Sequence, residues 1–265
     1  MHRRVATSLI VTAGVLAALF ATGSQPGPAA PAPDKPAPAA KKERQLVINA
    51  ENGTAVWDEA TKTLTATHVD QIKLPDSQSV LRADRVVWNR EQRWMRATGK
   101  PRMWDPDNEL TADTIHADLK AKRATAEGNV RLVARPKKAK TEQGQKTRAQ
   151  VEEPVVVLCD KMDYFYQAKR GIATGNLKLT QKDKRAARTA TGERLSYDGN
   201  EETVVLEGNV HVTNTKGEGF QCKRVVVHLK EGAEGFQAEG ITDATFFFTE
   251  EEEGESTPPA AGGSE

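Results

Sequence analysis

The chain has 265 residues, 37% of them hydrophobic and 28% charged, with a formal net charge of +1 at pH 7. Balanced charge argues against nucleic acid as the main partner, because phosphate binding draws on a surplus of Lys and Arg. So low an apolar content argues against a thick α/β core and for a thin sheet sandwich.

In chain order, residues 1–23 have the form of a secretory signal. Arg3 and Arg4 precede an apolar run over 5–21, and Ala21-Thr22-Gly23 supplies small residues for cleavage before Ser24. The run is slightly long for a signal core and slightly short for a membrane span. A cleaved signal is the preferred reading and an uncleaved membrane anchor the alternative. Either places the rest of the chain beyond a membrane. No cysteine follows the run, so a lipoprotein anchor has no support. Residues 24–45 are dominated by Pro, Ala and Lys, which predicts a semi-rigid linker.

From 46 to 249 the chain repeats itself with a period of roughly 30 residues, which points to about six copies of one unit. A degenerate first copy places Asn52 and Thr67 fifteen residues apart. The same gap separates Asp84 from Gly99, Asp113 from Gly128, Asp160 from Gly175 and Glu193 from Gly208. The sixth copy, Lys223 to Gly240, is two residues longer.

Around each glycine, apolar and small residues alternate with polar ones. One face reads Ala124, Ala126, Gly128, Val130, Leu132 in the third copy, and Gly171, Ala173, Gly175, Leu177, Leu179 in the fourth. Val204, Leu206, Gly208, Val210, Val212 follows in the fifth, and the opposite face carries residues such as Glu127, Asn129 and Arg131. Period two predicts half-buried antiparallel strands. The glycines are expected on the inward face, where each strand bends over the interior. Past each acid the apolar residues stand two and four positions on, as in Ile115 and Ala117 after Asp113, so buried parity slips by one at the acid. A bulge or corner carrying the strand into a second sheet would do this, and Asp suits such a corner through bonds to nearby N–H groups. The acids are read as structural, with a row of metal ligands as the minority alternative.

Residues 136–154 interrupt the repeat with a basic stretch that includes Lys137, Lys138, Lys140, Lys146 and Arg148, read as a solvated loop. Residues 241–248, ending in Phe246-Phe247-Phe248, close the β region, and 250–265 form an acidic tail expected to be disordered. Cys159 and Cys222 occupy equivalent places just before the corner. Equivalent sites two copies apart stand roughly 9–10 Å apart, beyond disulfide reach, so two buried thiols are expected.

The five histidines form no short ligand spacing with a second His or Cys, and no P-loop, dinucleotide or G-x-S-x-G motif occurs. The carboxylates recur with the repeat instead of converging as a dissimilar pair. No catalytic residue, metal site or cofactor is assigned, and an enzyme is not expected.

The two half-motifs, Ala112-Asp113 with Ala126-Glu127-Gly128-Asn129-Val130 and Cys159-Asp160 with Ala173-Thr174-Gly175-Asn176-Leu177, recur as Ala83-Asp84 with Ala97-Thr98-Gly99 and in Leu206-Glu207-Gly208-Asn209-Val210. In this they resemble the OstA-like family of lipopolysaccharide-transport proteins, of the LptA and LptC kind and the LptD N-terminal domain. The resemblance implies an all-β fold, an open, slightly twisted antiparallel β-jellyroll over 46–249, in a periplasmic protein of outer-membrane biogenesis. It implies lipopolysaccharide or a similar acylated lipid as ligand, and partnership with other jellyroll-bearing components, or head-to-tail with itself, through edge strands. The expected acyl-chain lining is Ile115, Val130, Leu132, Leu177, Leu179, Val210, Val212 and Val225. The alternatives are an anchored LptC-like component and a structural β-repeat scaffold whose interior is packed shut.

Overall fold

The computed structural model describes residues 47–73, 79–135, 154–182, 187–230 and 235–247. The expected signal, linker and acidic tail, and all of the basic insertion except Pro154, lie outside the described residues. Within them every regular element is a β-strand, as the alternating pattern predicts. The first copy holds β1 (Val47–Asn49), β2 (Ala55–Asp58) and β3 (Thr63–Lys73), and the second β4 (Val80–Asn89), β5 (Trp94–Thr98) and β6 (Arg102–Trp104). The third holds β7 (Asn108–Thr111), β8 (Thr114–Asp118) and β9 (Arg123–Ala134), and the fourth β10 (Val155–Phe165) and β11 (Arg170–Gln181). Then come β12 (Arg188–Asp198), β13 (Thr203–Asn214), β14 (Gly219–His228), β15 (Gly235–Glu239) and β16 (Asp243–Thr245).

All pairings are antiparallel, and neighbours in sequence are mostly neighbours in space. Each long strand belongs to two layers. β4 pairs β5 through 85–89 but β6 through 80–82, and β9 pairs β8 through 123–127 but β7 through 131–134. One layer, the turn layer, contains β2, β5, β8, β15 and the strand halves that meet in tight turns. The other, the loop layer, contains β1, β6, β7, β16 and the remaining halves. Alternate residues of both are buried and form one apolar cluster, from Ala173 and Leu195 in the turn layer to Leu177 and Leu179 in the loop layer. Strands buried on one face need a cover, and each layer covers the other. This is the open antiparallel β-jellyroll that the family resemblance implies.

The backbone crosses between layers along a single seam, and the seam explains the repeat. At the third copy, Ala126 pairs Met162 and Val130 pairs Cys159. One strand therefore spends four residues where its neighbour spends three, and buried parity slips at Asp160 as expected. Gly128 (φ 76°) and Asn129 (φ 47°) are both left-handed, forming the bulge on the longer side. The fifteen-residue gap is the length of one turn-layer hairpin, because Asp113 N–H donates to Gly128 C=O at 2.8 Å. In the sixth copy the connection between β14 and β15 has two more residues than that between β12 and β13, which accounts for its longer gap.

The tight turns form a second row that sequence reading did not find. Lys62, Arg93, Lys122, Lys169 and Glu202 are all left-handed, and each passes its carbonyl to the next turn. The donors are Arg90, Leu119, Tyr166, Gly199 and Leu229 N–H, at 2.7 to 3.1 Å. Asp58, Asp118 and Asp198 Oδ1 each accept two turn N–H groups, and Asn89 Oδ1 accepts one.

The ends of the sandwich are edges. Val56 and Trp57 of β2 are exposed, and β15 and β16 pair only with β14. In the closing segment, among the described residues, Ile241 is 56% and Phe247 62% exposed, while Phe246 packs on the core. A three-residue edge strand has no second neighbour to bury both faces, so it finishes the fold without sealing it.

Candidate functional site: the interior between the layers

The eight residues expected to line the interior are all buried and all in the common cluster. Ile115 and Val225 come from the turn layer, and Val130, Leu132, Leu177, Leu179, Val210 and Val212 from the loop layer. Register shows how they are joined. Leu110, Leu132, Val157, Leu179, Ala190, Val212 and Phe220 stand opposite one another, strand after strand, in one unbroken row across the loop layer. Cross-strand apolar neighbours of this kind are the unit of sheet stabilisation, and here they pave one surface.

One row further from the seam the loop layer turns polar. Ala134, Val155, Gln181, Arg188 and Asn214 are successive Cα partners, with Gln181 and Arg188 at 1% and 2% exposure. Arg188 has the parity of Ala190 and Leu179, so a guanidinium, always charged, belongs to the inward set. Sequence reading missed it; its place two residues before Ala190 was the available signal. The turn layer's outermost inward row carries Tyr164 and Tyr197. Burial first, and then Tyr164 and nearby carboxylates, push the Tyr197 hydroxyl well above its usual range.

The seam acids are occupied structurally. A Cβ on Gly128 would lie 2.3 Å from Asp113 Oδ2, on Gly175 2.4 Å from Asp160 Oδ2, and on Gly208 2.5 Å from Glu193 Oε2. The same carboxylates accept from Asn129 and Asn176 Nδ2 at 2.9 Å, and from Asn209 Nδ2 at 2.6 Å. Asp84 lies over Gly99 in the same way. The inward placement expected for these glycines is therefore corrected. Their open side faces an exposed carboxylate on the neighbouring strand, because the left-handed turn rotates the Cα–H outward. Gly240 keeps the left-handed backbone (φ 67°), with Lys223 methylenes where the acid would be.

Cys159 and Cys222 are buried free thiols. Burial, and next the Asp160 carboxylate, push the Cys159 thiol up to about 12, and burial raises Cys222 too. On the outer face of the turn layer, Asp163 Oδ1 accepts from Arg123 Nη2 at 2.7 Å, Arg123 Nε at 3.0 Å and Thr125 Oγ1 at 2.6 Å.

Comparison with known families bears out the resemblance read from the repeat. Residues 109–233 match the family described as LptA/(LptD N-terminal domain) LPS transport protein. No curated protein matches the sequence. Among solved structures, the chain is similar to LptH of Pseudomonas aeruginosa, titled the LptA homologous periplasmic component of the lipopolysaccharide transport device. Identity is 16% over 49% of this chain and 82% of that one, with a TM-score of 0.37.

Proposed function

We propose, from the match of residues 109–233 to the family of LptA and LptD N-terminal-domain lipopolysaccharide transport proteins, that this chain is a non-enzymatic, periplasmic lipid-binding bridge. It carries lipopolysaccharide or a related acylated lipid towards the outer membrane, with acyl chains between the two layers. The observation that carries this reading is the unbroken apolar row from Leu110 to Phe220, facing a second layer that, among the described residues, is joined to it by backbone along one long side. Opening the opposite side admits chains without breaking a strand pairing. Each methylene taken from water contributes about 0.8 kcal/mol, so a few acyl chains bind without any catalytic group. Unpaired backbone on β1 and β2 at one end, and on β15 and β16 at the other, offers partners strand addition.

The test is site-specific photocrosslinking. A photoreactive amino acid at Leu132 or Leu179, irradiated with lipopolysaccharide, is expected to give a lipid adduct, and one at outward-facing Lys178 none. Adducts of equal yield at Lys178, or none anywhere, contradict the proposal. A second reading, a structural β-repeat scaffold with a closed interior, draws on the near-zero exposure of Leu179, Val210 and Val225. In that case the interior positions stay unlabelled in a folded protein.

A further inference from the structure

We propose that the long side of the sandwich opposite the seam is a binding site for the anionic headgroup of the bound amphiphile, formed by a row of cations on three consecutive turns. The inference rests on the lipid-carrier reading above and adds to it where the headgroup sits.

The topology defines the place. Among the described residues the chain passes between layers at the seam, within the long strands or between short ones, so backbone closes that long side. On the opposite side, among the described residues, the turn layer ends in tight turns and the loop layer in the connections 105–107 and 215–218. A ligand with chains between the layers must leave its polar end there or at the two ends.

Charge along the turns is uneven. The first turn pairs Lys62 with Glu59, and the fifth carries Asp198, Glu201 and Glu202. Between them lie Arg90, Arg93, Lys120, Lys122 and Lys169, against Glu91 and Asp118 alone. None of these five cations makes an ion pair among the described residues, whereas Arg123 and Arg170 beside them hold Asp163 and Asp198. The turns are stitched into a continuous rim by Leu119 N–H on Arg93 C=O and Tyr166 N–H on Lys122 C=O. Left-handed backbone at Arg93, Lys122 and Lys169 sets the three cations at equivalent places on successive turns. Exposed Tyr166 lies under the Lys122 ammonium, 5.9 Å from ring centroid to Nζ, an amphipathic pairing suited to a boundary between apolar interior and water. A phosphate-bearing headgroup fits this rim: its charge meets mobile ammonium and forked guanidinium donors while its chains lie on the apolar row.

The experiment compares the full protein with an Arg93→Gln/Lys122→Gln/Lys169→Gln variant, at positions that make no ion pair among the described residues. Displacement of the neutral dye N-phenylnaphthylamine by phosphatidic acid is read against displacement by diacylglycerol with the same acyl chains. The expected result is at least a ten-fold preference for phosphatidic acid at low salt. The preference shrinks as salt is added and disappears in the variant, which binds both lipids as the parent binds diacylglycerol. Inorganic phosphate at the same concentration leaves the dye in place. Equal affinity of the parent for both lipids, or a preference that survives in the variant, overturns the headgroup site while leaving the carrier reading standing. Failure of either lipid to displace dye, in a protein that binds it, overturns the carrier reading itself. Sedimentation of the parent with phosphatidic acid vesicles without uptake of lipid assigns the rim to bilayer docking and also overturns the proposal.

Discussion

Asp113 lies directly over the α-carbon of Gly128, so close that a methyl group there would stand 2.3 Å from the carboxylate, while Asn129 next in the chain donates its amide to that same oxygen at 2.9 Å. One carboxylate thus depends on glycine for space and on asparagine for a donor. Both residues are left-handed, a conformation glycine adopts freely and asparagine tolerates.

Gly128→Ala is therefore expected to destabilise the protein by about 2–3 kcal/mol, through the left-handed backbone and displacement of Asp113. Gly235→Ala, where a Cβ meets nothing within 4 Å, changes stability by less than about 1 kcal/mol. Urea denaturation of the two variants checks the contrast.

At the next position, Asn129→Ala loses the bond to Asp113 and places alanine at φ 47°, at a cost of about 1–2 kcal/mol. Asn129→Gly keeps the backbone and loses only the side-chain bond, so its urea midpoint falls between those of Asn129→Ala and the parent.

In the core, Leu179→Ala is expected to cost about 2–5 kcal/mol, and Lys178→Ala, one residue away on the outer face, within about 0.5 kcal/mol of nothing. Equal effects in thermal denaturation would contradict the assigned parity.

Acid stability has a defined sign. Partial burial pushes the Asp163 carboxyl up, but the hydrogen bonds from Thr125 and Arg123 and the Arg123 charge outweigh it, so the net direction is down. A folded value below the unfolded one stabilises the protein fully above the ordinary carboxyl value of about 3.9, and that contribution is lost as pH falls through the folded value. Turn-capping Asp118 is lowered as well, chiefly by the Ala121 N–H. Asp163→Asn should flatten the fall in thermal midpoint below about pH 4.

Thiol chemistry follows from burial. With Cys159 held up to about 12 and Cys222 buried, native protein at pH 8 is expected to react slowly with a disulfide reagent, and both thiols promptly in urea. Fast labelling of the folded protein would place either cysteine at a mobile surface.

The seam was readable in the sequence because it demands unusual residues. Only glycine fits beneath the acid, and the acid recurs at the length of one hairpin, so Asp113 and Gly128 announce the corner without any structure. Parity around Ile115, Leu132 and Leu179 gave the inward face for the same reason: burial on one side of a strand leaves no freedom in register. The turn row escaped notice because its left-handed residues are Lys62, Arg93, Lys122, Lys169 and Glu202, where glycine or asparagine is the usual signal. Their conformation is fixed by carbonyl bonds to the next turn, a tertiary relationship absent from local sequence. Arg188 was passed over because a charged residue in a basic stretch reads as solvated until the register places it opposite Gln181. The inward placement of the glycines failed because period-two counting assumes extended backbone, and two left-handed residues rotate it.

The central claim, that the space between the layers holds lipid, is tested most directly by mass spectrometry of organic extracts of the whole protein purified from the periplasm of a diderm host. The account predicts lipid A or another multiply acylated lipid in stoichiometric amount, lost in a Leu132→Asp/Leu179→Asp variant that still folds by circular dichroism. A folded parent protein that yields no lipid, even after incubation with lipopolysaccharide, would contradict it.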